Sequence, residues 1–322
     1  MPTLTLTGQP HRQTLERATS TALPPLEPVL NSKPFWSLAM VAITAVWGWS
    51  FVAKQQSLHG MTASALNTWI FTIATLFLAP MAYASLKRLT RRDVLSGIAA
   101  GVMLFIAFAF QTSGIGLTTP SNAGFITGLS VVFTPILLFF LYRDRLTGPQ
   151  WLGAAVALVG LGLLSLADFA LHLGDALILC CALFFAGHIV MLAKLPFSGT
   201  PLAFACLQML TVALLSGLWS TASGEFSVPT DGDTWRVLVL LGILGTGLAY
   251  FVQTQAQSLM HPQAVALILL FEPVFSGLFG YWLAGDRLTD VNILGAVLIL
   301  VGMLVSEFGA FAQGKLKRPA RG

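Results

Sequence analysis

The sequence predicts an all-α integral membrane protein of ten transmembrane helices, arranged as two inverted five-helix repeats. Three observations predict this fold: the composition, ten long apolar runs, and an internal repeat with an odd number of runs. Of the 322 residues, 56% are hydrophobic and only 9% are charged, whereas soluble domains carry roughly 25% charged residues. So little charge cannot cover so much apolar surface in water, and we therefore expect the chain to be dissolved in lipid.

Ten runs of mostly apolar residues are each long enough to cross a bilayer, which takes about 20 residues. The runs lie near 35–53, 63–86, 94–115, 120–142, 150–167, 174–194, 201–221, 234–256, 262–284 and 291–311. In lipid every backbone polar group must be satisfied internally, so the runs are predicted to be helices. They are too long, and alternate too little, for the strands of a membrane barrel. The connections are short and leave no room for a soluble catalytic or nucleic-acid-binding domain.

The basic residues predict that both ends of the chain lie in the cytoplasm. With the N-terminus inside, only Lys54, Arg236 and Arg287 of the 17 Lys and Arg residues fall in outside segments. This bias follows the positive-inside rule. It accounts for the net charge of +4 without a nucleic-acid partner, and it predicts a multi-pass protein of the inner (plasma) membrane.

The chain repeats itself at an offset of 142 residues. In this register Gln111-Thr112 returns as Gln253-Thr254, and the tetrad Asp-Arg-Leu-Thr at 144–147 returns at 286–289. One period contains five spans, so the second half enters the membrane from the opposite side, as in many secondary transporters. The alternative is an old duplication kept for stability alone. The predicted organisation is a disordered cytoplasmic tail at 1–33, a first repeat at 34–168, a second repeat at 174–311 and a basic cytoplasmic tail at 312–322.

Glu272 is the most distinctive single residue, because it lies near the middle of span nine. A carboxyl at that depth is costly unless it faces a cavity or a partner. It either orients a substrate or binds a proton, or it has a structural role. Pro135 and Pro273 each remove a helix hydrogen bond and fall about one turn apart in the superposed repeats, so we predict helix breaks or hinges there; simple packing kinks are the alternative. The aspartates of the two tetrads are interpreted as exposed clamps at helix ends.

Span one carries Trp47, Ser50 and Lys54 on one helical face, with Phe51 beside them. This face either lines a substrate pocket or forms an interfacial aromatic belt with a snorkelling lysine. Further polar positions within the spans either contact substrate or bind neighbouring helices together. The candidate residues for a central cavity are Trp47, Ser50, Phe51, Lys54, Gln111, Thr134, Gln253 and Glu272.

The sequence contains no recognisable catalytic or metal-binding set. Glu272 has no evident carboxylate partner, His188 is alone in its span, and the cysteines lack metal-site spacing. We therefore expect neither an enzyme nor a metal or other cofactor. The expected partners are the lipid bilayer and a small-molecule substrate, and nothing resembles the filter segment of a channel.

These motifs resemble those of the drug/metabolite transporter (DMT) superfamily, in its EamA branch, over nearly everything from Phe35 to Phe311. The similar elements are Trp47-Gly48 with the following Phe51, the stretch Gly114–Leu164 with Thr118, Thr119, Pro120, Ala123 and Pro135, the pair Glu272-Pro273, and the two Asp-Arg-Leu-Thr tetrads. One departure is Asn67, where the family often has an arginine. The resemblance implies alternating access around a cavity lined by spans one, three, four, six, eight and nine.

The resemblance leaves the substrate open among amino acids, nucleobase-like compounds, vitamins and other metabolites. Many members of the family resemble exporters. The resulting hypothesis is a secondary transporter that exports an amino-acid-like solute. The alternatives are an uptake permease for a vitamin- or nucleobase-like metabolite, and an intramembrane enzyme acting on a lipid-linked substrate.

Overall fold

The computed structural model describes residues 33–143, 145–165, 172–260 and 262–316, and every regular element within them is a helix. The ten spans are α1 Lys33–Ser57, α2 Ala63–Leu86, α3 Arg91–Ile115, α4 Pro120–Tyr142, α5 Gly148–Ser165, α6 Leu173–Lys194, α7 Pro201–Ala222, α8 Gly232–Leu259, α9 at 262–284 and α10 Asp290–Leu316. The predicted fold class is confirmed. The predicted N-terminal tail lies outside the described residues except for Lys33, which begins α1. Residues 312–316, assigned to the C-terminal tail, instead continue α10.

The described helices match the dimensions and surface that a bilayer demands. Nine of them are long and apolar enough to cross a membrane, and α5 is a shorter apolar helix. With its 18 residues, α5 is about 27 Å long, close to the roughly 30 Å hydrocarbon core. Leu38, Leu76 and Trp282 are 71%, 68% and 66% exposed. Lipid tails, rather than water, cover such side chains.

Side-chain caps fix where several helices begin. The hydroxyls of Thr62, Thr119 and Thr200 each accept a backbone N–H three residues further on. Thr90 and Asp93 form a reciprocal capping box at the start of α3. These caps satisfy amide groups that a helix leaves without partners at its first turn, which favours a helix start at each position.

The crossing of α5 and α10 is built from four glycines related by the repeat. A Cβ on Gly153 would lie 2.4 Å from the carbonyl oxygen of Gly302, and one on Gly160 would lie 2.6 Å from that of Gly295. The offset of 142 residues relates Gly153 to Gly295 and Gly160 to Gly302. Gly153 therefore faces Gly302, the repeat equivalent of Gly160. Gly160 in turn faces Gly295, the equivalent of Gly153, as a two-fold axis in an inverted repeat requires.

Two ends of the bundle can be distinguished. We call the end where α1 begins and α10 ends the terminal face, and the opposite end the distal face. At the distal face Gln55 Nε2 donates to the Thr118 carbonyl at 2.8 Å. The backbone N–H and the hydroxyl of Ser121 donate to Asp286 Oδ2 at 2.9 and 2.6 Å. These bonds tie the end of α1, the start of α4 and the α9–α10 connection together.

Asp286 corrects one expectation, because it is only 8% exposed. Its carboxylate caps α4, a helix of the other repeat, and does not project from a helix end into solvent. From sequence, a charged residue at the membrane edge is expected to be exposed. Asp286 is buried because the first turn of α4 has backbone N–H groups without helical partners, and its carboxylate accepts from one of them. Asp144, its repeat equivalent, lies outside the described residues.

Helix breaks occur at matching depths in α4 and α9. The α-helical hydrogen bonding is interrupted at Leu129 in α4 and at Leu270 in α9. Pro273 cannot donate to Leu269, next to the second break, whereas Pro135 lies one and a half turns beyond the first. The final turns also correspond: Arg143 and Gly285 are repeat equivalents and have φ angles of 60° and 74°. Both breaks border the cavities described next.

Candidate substrate-binding cavities

A central cavity lies between the two repeats and has a volume of about 770 Å³ including its open mouth. It is lined by Trp47, Ser50, Phe51, Lys54, Phe108, Gln111, Thr127, Gly128, Ser130, Val131, Phe185, His188, Ile189, Leu241, Gly245, Thr246, Tyr250, Gln253, Leu269 and Glu272. The lining comes from α1, α3, α4, α6, α8 and α9, the helices implied by the family resemblance.

The two repeats contribute equivalent positions to this cavity. At the offset of 142 residues the lining pairs are Phe108 with Tyr250, Gln111 with Gln253, Thr127 with Leu269, and Ser130 with Glu272. In α1 and α6 the lining residues also share one spacing, namely 47, 50 and 51 against 185, 188 and 189. The cavity therefore lies at the pseudo-two-fold axis that relates the repeats.

Seven of the eight predicted candidates line the central cavity: Trp47, Ser50, Phe51, Lys54, Gln111, Gln253 and Glu272. Thr134 does not, because it lies beyond the break in α4 and lines a second cavity. Its hydroxyl donates to the Ser130 carbonyl at 2.7 Å. Asn67 lies elsewhere, fully buried between α2 and α3, where it bonds the Phe108 carbonyl and the Thr112 hydroxyl.

The prediction missed the aromatic residues Phe108, Phe185 and Tyr250. A signal for two of them was present, since Phe108 and Tyr250 each precede a predicted glutamine by three residues, on the same helical face. Phe185 is the α6 counterpart of Trp47 in spacing. Aromatic rings thus form much of the apolar wall of the cavity.

Lys54 places a buried cation in the cavity wall. The side chain is 6% exposed, and Nζ donates to Gln111 Oε1 at 2.9 Å. The ammonium also lies 4.6 Å from the centroid of the Phe108 ring. An ammonium has three donors and one is used by Gln111, so Lys54 retains donors for an anionic group. The interfacial snorkelling lysine considered above does not describe this residue.

Glu272 faces the same cavity without a protein partner. Its carboxylate accepts no hydrogen bond and joins no ion pair within 4.0 Å among the described residues. Gln253 Oε1 is buried and has no hydrogen-bond partner among these residues. Buried polar atoms without partners are costly. Two acceptors are therefore available to a ligand that carries N–H groups.

A π-helical segment of α8, Leu241–Leu248, forms one side of the site. Trp47 Nε1 donates to the Gly245 carbonyl at 2.8 Å, which fixes the indole beside the Tyr250 ring at a centroid distance of 5.7 Å. The equivalent part of α3 is regular α-helix. Short π segments in α-helices are frequent at functional sites, and this one distinguishes the second repeat from the first.

An inner cavity of about 730 Å³, including its mouth, lies next to the central one. It is lined by Val131, Thr134, Ile189, Leu192, Ala193, Gln257, Val265, Leu269 and Glu307. Val131, Ile189 and Leu269 line both cavities, which therefore adjoin at these three apolar side chains. The remaining lining lies in the halves of α4, α6, α8, α9 and α10 nearer the terminal face. The inner cavity therefore lies between the central one and the terminal face.

Comparison with known proteins places the chain in a family. The family model of the EamA-like transporter family matches residues 34–166 and again 172–308. The chain belongs to the EamA-like transporter family. Its two matches to one model agree with the two repeats, and membership identifies a multi-pass membrane transporter.

Relatives of this chain carry transporter names. An uncharacterized transporter of Archaeoglobus fulgidus is 32% identical over 83% of this chain and 83% of its own length. A "Probable amino-acid metabolite efflux pump" of Salmonella typhimurium is 25% identical over 87% of this chain and 95% of its own. The Escherichia coli protein of the same name is also 25% identical, over 83% and 93%. A crystal structure 23% identical in sequence has the same fold, with a TM-score of 0.64 over 87% of this chain and 99% of that one.

Proposed function

We propose that the chain is a secondary transporter that exports a small zwitterionic, amino-acid-like metabolite by alternating access. One observation carries the proposal: a central cavity between inverted repeats that holds Lys54 and Glu272 without an ion pair between them. The family supports transport, and the names of two relatives support an amino-acid-like cargo and efflux. We place the terminal face in the cytoplasm of the cell, on the plasma membrane, because the basic residues favour that orientation.

The charges select the class of solute. A substrate carboxylate binds the free donors of Lys54, and a substrate ammonium binds Glu272 and Gln253 Oε1. A solute with one charge only meets a like charge in the same cavity, which is unfavourable in a medium of low dielectric. The rings of Trp47 and Tyr250 bury an apolar side chain, so we expect branched or larger neutral amino acids to bind better than glycine.

Counterflow of L-leucine tests this function. The purified protein is placed in liposomes loaded with unlabelled leucine, and uptake of labelled leucine is followed, with nucleosides and vitamins as competitors. Wild type should accumulate label against its gradient. Lys54→Met and Glu272→Gln each remove one charge-assisted contact, and we expect each to lower the affinity for leucine about 10–100-fold.

The matched control is Asp233→Asn, which breaks an ion pair between exposed side chains of Asp233 and Arg236 and should leave counterflow unchanged. Elution profile and unfolding midpoint show whether each variant is folded. Competition by nucleosides or vitamins but not by amino acids would contradict the zwitterion proposal. Leucine affinity that survives loss of either charge would contradict the assigned contacts.

A further inference from the structure

Glu307 is a second membrane-embedded carboxylate that the proposed function does not use. It lies in α10, is 8% exposed, and lines the inner cavity. No hydrogen bond or ion pair joins it to another described residue. A carboxylate buried to this extent without a partner is costly, and such residues inside membrane spans mark ion or substrate pathways.

The surroundings of Glu307 differ from those of Glu272 in charge. Among the described residues that line the inner cavity, Glu307 is the only ionisable one, and the other polar groups belong to Thr134 and Gln257. The central cavity contains Lys54 as well as Glu272. The inner cavity is therefore an apolar space with one negative group, and the central cavity pairs a negative group with a positive one.

We propose that the inner cavity is a binding site for organic ammonium ions, with Glu307 accepting the N–H donors and the apolar wall covering the hydrocarbon part. An alkyl amine matches both features, since its cation pairs with the carboxylate and its chain is removed from water. A carboxylic acid is repelled by Glu307, and a zwitterion brings a carboxylate into a cavity that has no cation among its described lining. This site does not depend on the zwitterion proposal, because the two sites differ in their charged residues.

The position of the site gives it a consequence for transport. Val131, Ile189 and Leu269 line both this cavity and the central one, and the distal halves of α4 and α9 are in close contact at Gly124 and Ser276. An amine held at Glu307 therefore lies on the path between the central cavity and the terminal face. Bound there, it blocks the movement of another solute along that path.

Thermal unfolding of the detergent-purified protein with hexylamine tests the site, with hexanol and hexanoate as a neutral and an anionic probe of the same chain length. A ligand that binds the folded state raises the unfolding midpoint. We expect hexylamine to raise it more than hexanol does, and hexanoate not to raise it. Glu307→Gln should lower the affinity for hexylamine about 10–100-fold, which corresponds to the loss of a hydrogen bond to a charged group. Glu307→Asp should keep part of this affinity, because it keeps the carboxylate.

Two controls locate the site. Ser306→Ala changes the neighbouring residue, which packs on Gly153 of α5, and should leave hexylamine binding unchanged. Glu272→Gln should lower the affinity for leucine and leave the affinity for hexylamine unchanged. Glu307→Gln should lower the affinity for hexylamine and leave that for leucine unchanged. Equal hexylamine shifts in wild type and Glu307→Gln, no shift in either, or loss through Glu272→Gln alone would each overturn the proposal. Failure of leucine counterflow with an intact, Glu307-dependent hexylamine shift would instead count against the proposed function alone.

Discussion

The two halves of the α4–α9 pair differ sharply, although the repeat makes them equivalent. Towards the distal face the helices are in close contact: a Cβ on Gly124 would overlap the Ser276 side chain, and one on Gly128 would lie 2.9 Å from Pro273. Towards the terminal face, Thr134 of α4 and Val265 of α9 both line the inner cavity. Thr134 is the repeat equivalent of Ser276. The same position is thus packed in one repeat and cavity-lining in the other.

Because the repeats are equivalent, the conformation of each repeat indicates a second conformation for the other. Exchanging the conformations of the repeats would bring Thr134 into contact with position 266, the equivalent of Gly124, and would part Ser276 from Gly124. The cavity would then open at the distal face. In the observed conformer α4 and α9 are in close contact in their distal halves, and the inner cavity lies between their terminal halves.

Gly124→Val should have the largest effect on this balance. The new side chain clashes with Ser276 whenever the distal half is closed, and overpacking of this kind costs about 1–3 kcal/mol. The distal-closed conformer should become about 5–150-fold less populated relative to its alternative, and leucine counterflow should fall at least several-fold. The control is Gly148→Val, since a Cβ on Gly148 has no neighbour within 4 Å. Undiminished counterflow in folded Gly124→Val would contradict the role given to this contact.

Asp286→Asn should have a smaller effect on the same face. The asparagine oxygen can still accept the bonds that the backbone and hydroxyl of Ser121 donate, so only part of the about 1.5–3 kcal/mol of a hydrogen bond to a charged group is lost. Because the first turn of α4 loses part of its cap, its amides should exchange with solvent faster. Hydrogen exchange over 120–124 measures this, with Asp233→Asn as the control. Unchanged exchange would mean that the Asp286 cap does not hold this end of α4.

The smallest expected effect concerns the paired turns after α4 and α9. Arg143 and Gly285 both have left-handed backbone conformations, at φ 60° and 74°, which cost a non-glycine residue roughly 1–2 kcal/mol. Arg143→Gly should therefore raise the free energy of unfolding by up to about 1 kcal/mol, and Gly285→Ala should lower it by a similar amount. Denaturant titration in mixed micelles measures both variants. Changes of the same sign in both would contradict the equivalence of the turns.

Much of the fold could be predicted from sequence because lipid imposes strict conditions on composition and hydrogen bonding. Span positions followed from apolar runs, and the inverted repeat followed from register matches such as Asp286 with Asp144. The burial of Asp286 could not be predicted, because it depends on the start of α4 in the other repeat. Glu307 was missed because a carboxylate near the end of a span is expected to lie at the membrane–water interface. Its burial depends on how α10 packs beside α9, which the sequence does not show.

The cavity was predictable in part for a related reason. Trp47 and Lys54 share a helical face, and their spacing in the sequence was enough to place both among the cavity candidates. Thr134 was assigned to the central cavity with the helix break of α4 expected at Pro135, whereas the break lies at Leu129 and leaves Thr134 in the second segment. The position of such a break depends on packing against α9 at Gly124 and Gly128, which sequence periodicity does not contain.

The most direct test of alternating access compares single cysteines at the two equivalent positions, Thr134→Cys and Ser276→Cys. The background replaces the native Cys180, Cys181 and Cys206 with alanine, and a water-soluble thiol reagent reports accessibility. Alternating access predicts rapid labelling at 134 and slow labelling at 276, with the order reversed when Gly124→Val is added. Equal rates at the two positions, unaffected by Gly124→Val, would contradict it.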